Sequence, residues 1–175
     1  MKAHRGEEHG TGTYLSEDGW KFADELAAVM ADEVKAMKKG NNQMGEQNIG
    51  IIACSGEECL GGTISRLAVR KMMETLRPGA VSTLCLPLFI AGGDQERAFA
   101  QNHPTISVDG CSKCCAKRAI EKYSNAVAGI VDVEAILGEE IALDHQTIST
   151  KDLTPEQLQY VDQVAAEICK IFDTL

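Results

Sequence analysis

The stretch that decides the fold is residues 48–54, which read Asn48-Ile49-Gly50-Ile51-Ile52-Ala53-Cys54. A short apolar run of this kind predicts a strand buried inside a sheet. Similar runs and helical patterns alternate after it: a helix at residues 63–76, a strand at 80–86, a helix at 94–101, a strand at 105–108, a helix at 112–123 and a strand at 125–131. Because such alternation builds parallel sheets, we predict a three-layer α/β fold with a mostly parallel sheet and helices on both faces.

Cysteines follow three of the predicted strands. Cys54, Cys85 and Cys111 stand at or just beyond the strand ends, and Cys115 lies four residues after Cys111. Ligands of open parallel sheets collect outside the carboxyl ends of the strands. One buried cysteine is as often a small core side chain, but a set of four predicts a shared site. Zinc is the first choice of metal because tetrahedral thiolate sites suit it.

The pair Cys111 and Cys115 is predicted to lie on one face at the start of a helix, since residues four apart are neighbours there. The unpaired N–H groups and partial positive charge of a helix N-terminus favour thiolate, which is the form that binds metal. Cys114 points about 100° away from Cys115 on such a helix, so the two are not both expected to be ligands.

Cys59 and Cys169 lie outside the predicted ligand set. Cys59 lies in the loop at residues 55–62 and has three candidate roles: exchanging with a ligand, resolving a disulfide, or none. Cys169 is predicted to pack within the last helix, whose start is marked by Thr154-Pro155-Glu156-Gln157. A threonine cap, a proline at the first helical position and a glutamine three residues after the cap are typical of a helix N-terminus.

Two other interpretations use the same thiols. One is a thiol-based redox enzyme or sensor in which Cys54 or Cys59 reacts and Cys111 or Cys114 resolves the product. The other is an iron–sulfur protein, since four thiolates also hold a cluster. A Cys-x5-Arg phosphate cradle is disfavoured because Leu60 stands where the arginine is required. The four histidines are predicted to be solvated surface residues, and the pattern assigns no catalytic residue or substrate.

Composition limits the classes of function. The chain has 175 residues and a net charge of −9, with no basic run, which argues against binding nucleic acid or an anionic membrane surface. No apolar stretch approaches the roughly 20 residues needed to span a bilayer, and the N-terminus lacks the pattern of a secretory signal. Seven cysteines in a chain of this kind are more typical of metal or redox chemistry in the reducing cytoplasm than of disulfides.

We expect residues 1–16 to form a flexible tail and residues 17–175 to form a single α/β domain, with a helix at 17–39. The expected partner is a metal ion. Protein partners and oligomeric state are not specified by the sequence.

Four segments carry a resemblance to a known family: Ile52-Ala53-Cys54-Ser55-Gly56, Cys85-Leu86, Val108-Asp109-Gly110-Cys111 and Cys115-Ala116-Lys117. In this order they resemble the DGC family of zinc-binding proteins, which is named after its Asp-Gly-Cys motif, over about residues 49–131. The resemblance implies a zinc site made by Cys54, Cys85, Cys111 and Cys115, and it implies no particular reaction. The sequence departs from the family pattern at Glu57, Glu58 and Cys59, where small polar residues are expected, and at the additional thiol of Cys114.

Overall fold

The computed structural model describes residues 48–146 and 153–175, which belong to one compact unit, Glu46–Leu175. Its strands are β1 (Ile49–Ala53), β2 (Val81–Thr83), β3 (Thr105–Asp109) and β4 (Gly129–Asp132). Its helices are α1 (Leu60–Lys71, continued by a π-helical turn at Met72–Leu76), α2 (Leu86–Ala91), α3 (Asp94–Arg97), α4 (Phe99–Asn102), α5 (Cys115–Tyr123), α6 (Val133–Leu137), α7 (Glu139–Ala142) and α8 (Pro155–Phe172).

The four strands form one sheet in the order β2-β1-β3-β4, and every neighbouring pair is parallel. The chain therefore leaves β1 towards one edge of the sheet and later returns to add β3 on its other side. This change of direction creates a crevice at the carboxyl ends of β1 and β3, which is where open α/β sheets bind ligands. The predicted parallel α/β fold is confirmed.

Apolar side chains cover the sheet on both faces. Successive strand residues point to opposite faces, so Ile51 joins a cluster with residues of α1 and α8, whereas Ile52 joins a second cluster with residues of α2 and α5. Ile51 and Ile52 are both 0% exposed. The two clusters fill the interfaces between the sheet and the helices on its two faces, which is the three-layer arrangement that the alternating sequence pattern predicts.

The terminal helix begins where its cap predicts. The Thr154 hydroxyl accepts a hydrogen bond from the Gln157 N–H (3.2 Å), and the Thr154 N–H donates to Gln157 Oε1 (2.8 Å). Val161, Ala165 and Ile168 are buried on the apolar side of α8. Leu158, which keeps the same spacing, is 51% exposed because the first turn of α8 extends beyond the cluster that the later turns cover.

Three local predictions are wrong. The second strand ends at Thr83, because Pro87 in the first turn of α2 favours a helix start there. Helix α5 starts at Cys115 rather than at residue 112, because residues 111–114 form a turn. The strand predicted at residues 125–131 begins only at Gly129.

Some predictions fall outside the described residues. The N-terminal tail at residues 1–16 and the helix at 17–39 lie there, as does part of the loop before α8. Among the helices of the described residues, none is both long and apolar enough to cross a membrane.

Candidate thiol metal centre

A cavity of about 220 Å³ opens at the carboxyl ends of β1 and β3. It is lined by the loop after β1, the turn after β3 and the segment after α7. The lining residues are Cys54, Ser55, Gly56, Glu58, Cys59, Leu86, Asp109, Gly110, Cys111, Lys113, Cys115, Leu143 and His145. Four of the seven cysteines therefore face one space, and all seven are unpaired.

Cys54 is held by backbone from both neighbouring segments. Its N–H donates to the Val108 carbonyl (2.9 Å), which extends the pairing of β1 with β3 by one residue. Its Sγ accepts a hydrogen bond from the Gly110 N–H (3.1 Å) and lies 3.5 Å from Ser65 Oγ. Cys54 is 6% exposed, so its sulfur faces only the cavity and these partners.

Cys59 lies beside Cys54. It is also 6% exposed, and it precedes α1 in an extended conformation without using its side chain as a cap. A Cβ placed on Gly56 would lie 3.5 Å from Cys59 Sγ and 3.6 Å from Cys54 Sγ. Both sulfur atoms therefore adjoin the same small volume, and glycine at position 56 leaves it open.

Cys111 and Cys115 border the cavity from the turn after β3. The Cys114 N–H donates to the Cys111 carbonyl (3.0 Å), and Cys114 takes a left-handed conformation (φ 49°, ψ 49°). Cys111 thus belongs to the turn and Cys115 to the first position of α5, so they do not share a helical face as predicted. Cys115 is exposed.

The pKa of the Cys111 thiol also differs from the prediction. Burial raises the pKa of the Cys111 thiol, and the nearby Cys59, Cys54 and Cys115 raise it further. The expected stabilisation of thiolate by a helix N-terminus is therefore wrong for Cys111, because this residue lies before the helix rather than on it. Cys111 thus lies within electrostatic range of Cys59, Cys54 and Cys115.

The aspartate before Cys111 caps helix α5 from the end of β3. Asp109 Oδ1 accepts from the Ala116 N–H (2.6 Å), and Oδ2 accepts from the Lys117 N–H (3.0 Å). Burial raises the pKa of this carboxyl, and the two backbone donors oppose that shift. Asp109 therefore replaces the missing side-chain cap at Cys114 and fixes α5, with Cys115, against the sheet.

Gly110 permits a close backbone approach, as its sequence context predicts. A Cβ on Gly110 would lie 2.5 Å from the Gly62 nitrogen and 2.6 Å from the Gly61 carbonyl carbon. A Cβ on Gly61 would in turn lie 2.2 Å from the Gly110 oxygen. The start of α1 and the turn after β3 are thus packed backbone against backbone, which brings their cysteines to one cavity.

The other three cysteines do not line the cavity. Cys85 is exposed and precedes α2 at the end of β2. Burial raises the pKa of the Cys114 thiol, and Asp109 and Asp132 raise it further. Cys169 packs in α8, where its Sγ lies 3.4 Å from Met72 Sδ, as expected for a core residue.

The side chains around the cavity fit a thiophilic metal by their donor chemistry, since thiolate is a preferred ligand of zinc. As they are placed, however, no group of three or more His, Cys, Asp or Glu side chains within residues 48–146 and 153–175 is arranged to hold an ion.

Comparison with known proteins identifies the family of the chain. The family model of the DGC domain matches residues 50–164. The chain belongs to the DGC domain family. No curated protein and no solved structure is significantly similar to it.

Within this DGC domain, the Asp-Gly-Cys motif has a defined structural role. Asp109 caps α5, Gly110 allows α1 to approach, and Cys111 faces the cavity. The match extends beyond the resemblance over residues 49–131 and includes most of α8. Through these contacts the motif connects the start of α1 to the start of α5 without any ligand.

Sequence reasoning did not place His145 at the cavity. His145 was predicted to be a solvated surface histidine and it is exposed, but it also lines the cavity, where its Nδ1 donates to the Glu58 carbonyl. These two residues are 87 positions apart, and no local pattern connects them.

Proposed function

We propose that this DGC domain binds one zinc ion at the cavity between the carboxyl ends of β1 and β3. The observation that supports this most directly is that Cys54, Cys111 and Cys115 of the predicted ligand set line the same cavity, together with Cys59. Thiolates are soft donors, and structural zinc sites of four cysteines are common. The metal would cross-link the loop after β1 to the turn after β3.

Two contacts place the cysteines for such a site, and rotation of their side chains would complete it. Gly110 and its N–H keep Cys54 beside the turn that carries Cys111. Asp109 fixes the start of α5, where Cys115 lies. Binding would draw the cysteine side chains together by rotation about their Cα–Cβ bonds, which costs little for a side chain with a single rotatable bond before sulfur.

Metal content tests the proposal. Protein purified from zinc-replete medium is expected to contain about one zinc per chain by elemental analysis. Cys54→Ser is expected to lower zinc retention strongly because a hydroxyl is a poorer, harder donor than a thiolate. Cys169→Ser is the matched control and is expected to retain zinc, because this residue packs against Met72. Metal-free wild-type protein with all its thiols freely reactive would refute the proposal.

An iron–sulfur cluster is the alternative occupant of the same thiols. A cluster absorbs visible light, whereas zinc bound to thiolates is colourless. An absorption spectrum of freshly purified protein, handled without oxygen, therefore separates the two metals before any quantification.

The position of the Cys54 and Cys59 sulfur atoms around the open volume beside Gly56 also favours a redox function of the metal-free protein. A peroxide would oxidise the two thiols to one disulfide, and its own O–O bond would be reduced, with the two thiol protons transferred to the oxygen products. Peptide mapping after peroxide treatment is expected to show a Cys54–Cys59 disulfide that Cys59→Ser lacks. Recovery of both thiols in reduced form would exclude this function.

We also propose that the protein acts in the cytoplasm, because seven unpaired cysteines suit a reducing compartment. Fractionation of cells that express the full chain, with a thiol count on the recovered protein, tests this. Recovery mainly from an oxidising compartment would contradict it.

A further inference from the structure

We propose that Cys59, and not Cys85, supplies the fourth thiolate of the zinc site. This rests on the zinc-binding function proposed above and concerns which side chains make the site. The other three ligands would be Cys54, Cys111 and Cys115, all of which line the cavity.

The position of Cys59 is fixed on both sides by a distant segment. The Glu58 carbonyl accepts a hydrogen bond from His145 Nδ1, and the Leu60 N–H donates to the Asp144 carbonyl (2.8 Å). The backbone that carries Cys59 is therefore tied to residues 144–145 rather than left as a free loop. A ligand held in place before binding loses less conformational entropy when the metal binds.

The thiol of Cys59 also has no competing role. It makes no capping bond at the start of α1, although it occupies the cap position. It adjoins the Cys54 sulfur across Gly56 and is nearly as buried as a core side chain. Cys54 and Cys59 together would hold an ion on the β1 side of the cavity, opposite Cys111 and Cys115.

Cys85 does not line this cavity, although its neighbour Leu86 does. Cys85 follows β2, which pairs with β1 on the side away from β3, whereas the cavity lies at the ends of β1 and β3. Cys85 is exposed and is absent from the residues that line the cavity. Although the resemblance assigns Cys85 as a ligand, in this chain Cys59, and not Cys85, lines the cavity with the other three thiols.

Matched serine variants test the assignment. Zinc affinity, measured by competition with a chromophoric chelator, is expected to fall at least about 100-fold in Cys59→Ser, since even an outer-shell change costs 10–100-fold. It is expected to change less than about threefold in Cys85→Ser, with circular dichroism used to confirm that each variant folds. Strong weakening in Cys85→Ser, or none in Cys59→Ser, would overturn the assignment.

A second measurement uses only the wild-type protein, so it does not depend on a variant that folds. Cys85 is exposed, and its rate of alkylation by N-ethylmaleimide is therefore measurable without metal. Zinc is expected to leave that rate unchanged and to slow alkylation of Cys111 and Cys115. Protection of Cys85 by zinc would overturn this assignment while supporting zinc binding, whereas a wild-type protein that binds no zinc would overturn both proposals.

Discussion

At the scale of single residues, two residues of the Asp-Gly-Cys motif stabilise the fold and the third supplies a thiol. Asp109 is 0% exposed, and its carboxylate is satisfied by two backbone donors of α5. Gly110 is required by the backbone of α1, and Cys111 contributes a thiol to the cavity. Two of the three motif residues are therefore explained by folding alone, before any metal is considered.

Asp109→Ala is expected to destabilise the protein by about 2–3 kcal/mol, because two backbone donors at the start of α5 lose their charged acceptor. Asp109→Asn keeps one good acceptor and is expected to cost less. Urea unfolding of metal-free protein measures both. Equal stability of Asp109→Ala and the wild type would mean that the cap contributes nothing to the fold.

Gly110→Ala is expected to cost about 1–3 kcal/mol, since a Cβ there would overlap the Gly61 and Gly62 backbone and neither side can yield easily. Gly93→Ala is the control, because its Cβ would meet only Glu96 Oε2 at 3.7 Å. Urea unfolding is expected to show a clearly larger loss for Gly110→Ala. Similar losses for the two variants would show that the close approach is easily relaxed.

At the scale of elements, each helix that borders the site is positioned by a contact distant in sequence. Helix α1 is held at its start by the Asp144 carbonyl, and α5 is held by Asp109. Helix α8 lies away from the cavity and packs on α1, with an ion pair between Arg77 and Asp173 (2.8 Å) beyond its far end. Because α8 also contacts β3 and β4, its packing is connected to the site through the sheet as well as through α1.

Thr154→Ala is expected to lower stability by about 1 kcal/mol, because it removes the side-chain acceptor of the α8 cap. Thr154→Ser keeps that acceptor and is the matched control. Thermal unfolding followed by circular dichroism measures both, and zinc affinity is expected to be the same in the two variants. A change in zinc affinity in Thr154→Ala alone would show that α8 is coupled to the site.

At the scale of the whole molecule, the sequence predicted the parallel sheet because its strands are short apolar runs that alternate with helical patterns. It also placed Cys54 and Cys111 at one edge, since parallel strands end on the same side. It did not predict the location of Cys59 within the cavity. That depends on the open volume beside Gly56 and on contacts with His145 and residue 144, which no local periodicity records.

The start of α5 also could not be predicted from the local sequence. Residues 111–123 have a helical composition, yet the turn at Cys111 and the left-handed Cys114 delay the helix until Cys115. The reason is that Asp109, fixed at the end of β3, caps the helix from outside it. A cap formed by a residue outside the helix therefore overrides the helix propensity of residues 111–114, because propensity is only a weak preference.

Removal of metal is the prediction that involves the whole molecule. Both faces of the sheet carry their own buried apolar clusters, so the fold is expected to remain cooperative without zinc, unlike a small zinc finger. Zinc at 100 times its Kd would stabilise the folded state by about 2.7 kcal/mol. Chelation is therefore expected to lower the melting temperature by several degrees in a scanning calorimetry experiment, with one transition before and after. Hydrogen exchange should increase mainly at residues 54–62 and 109–115, because these two segments carry the proposed ligands and meet only through Gly110 and the cavity. Loss of the transition on chelation would show that the two apolar clusters do not support the fold by themselves.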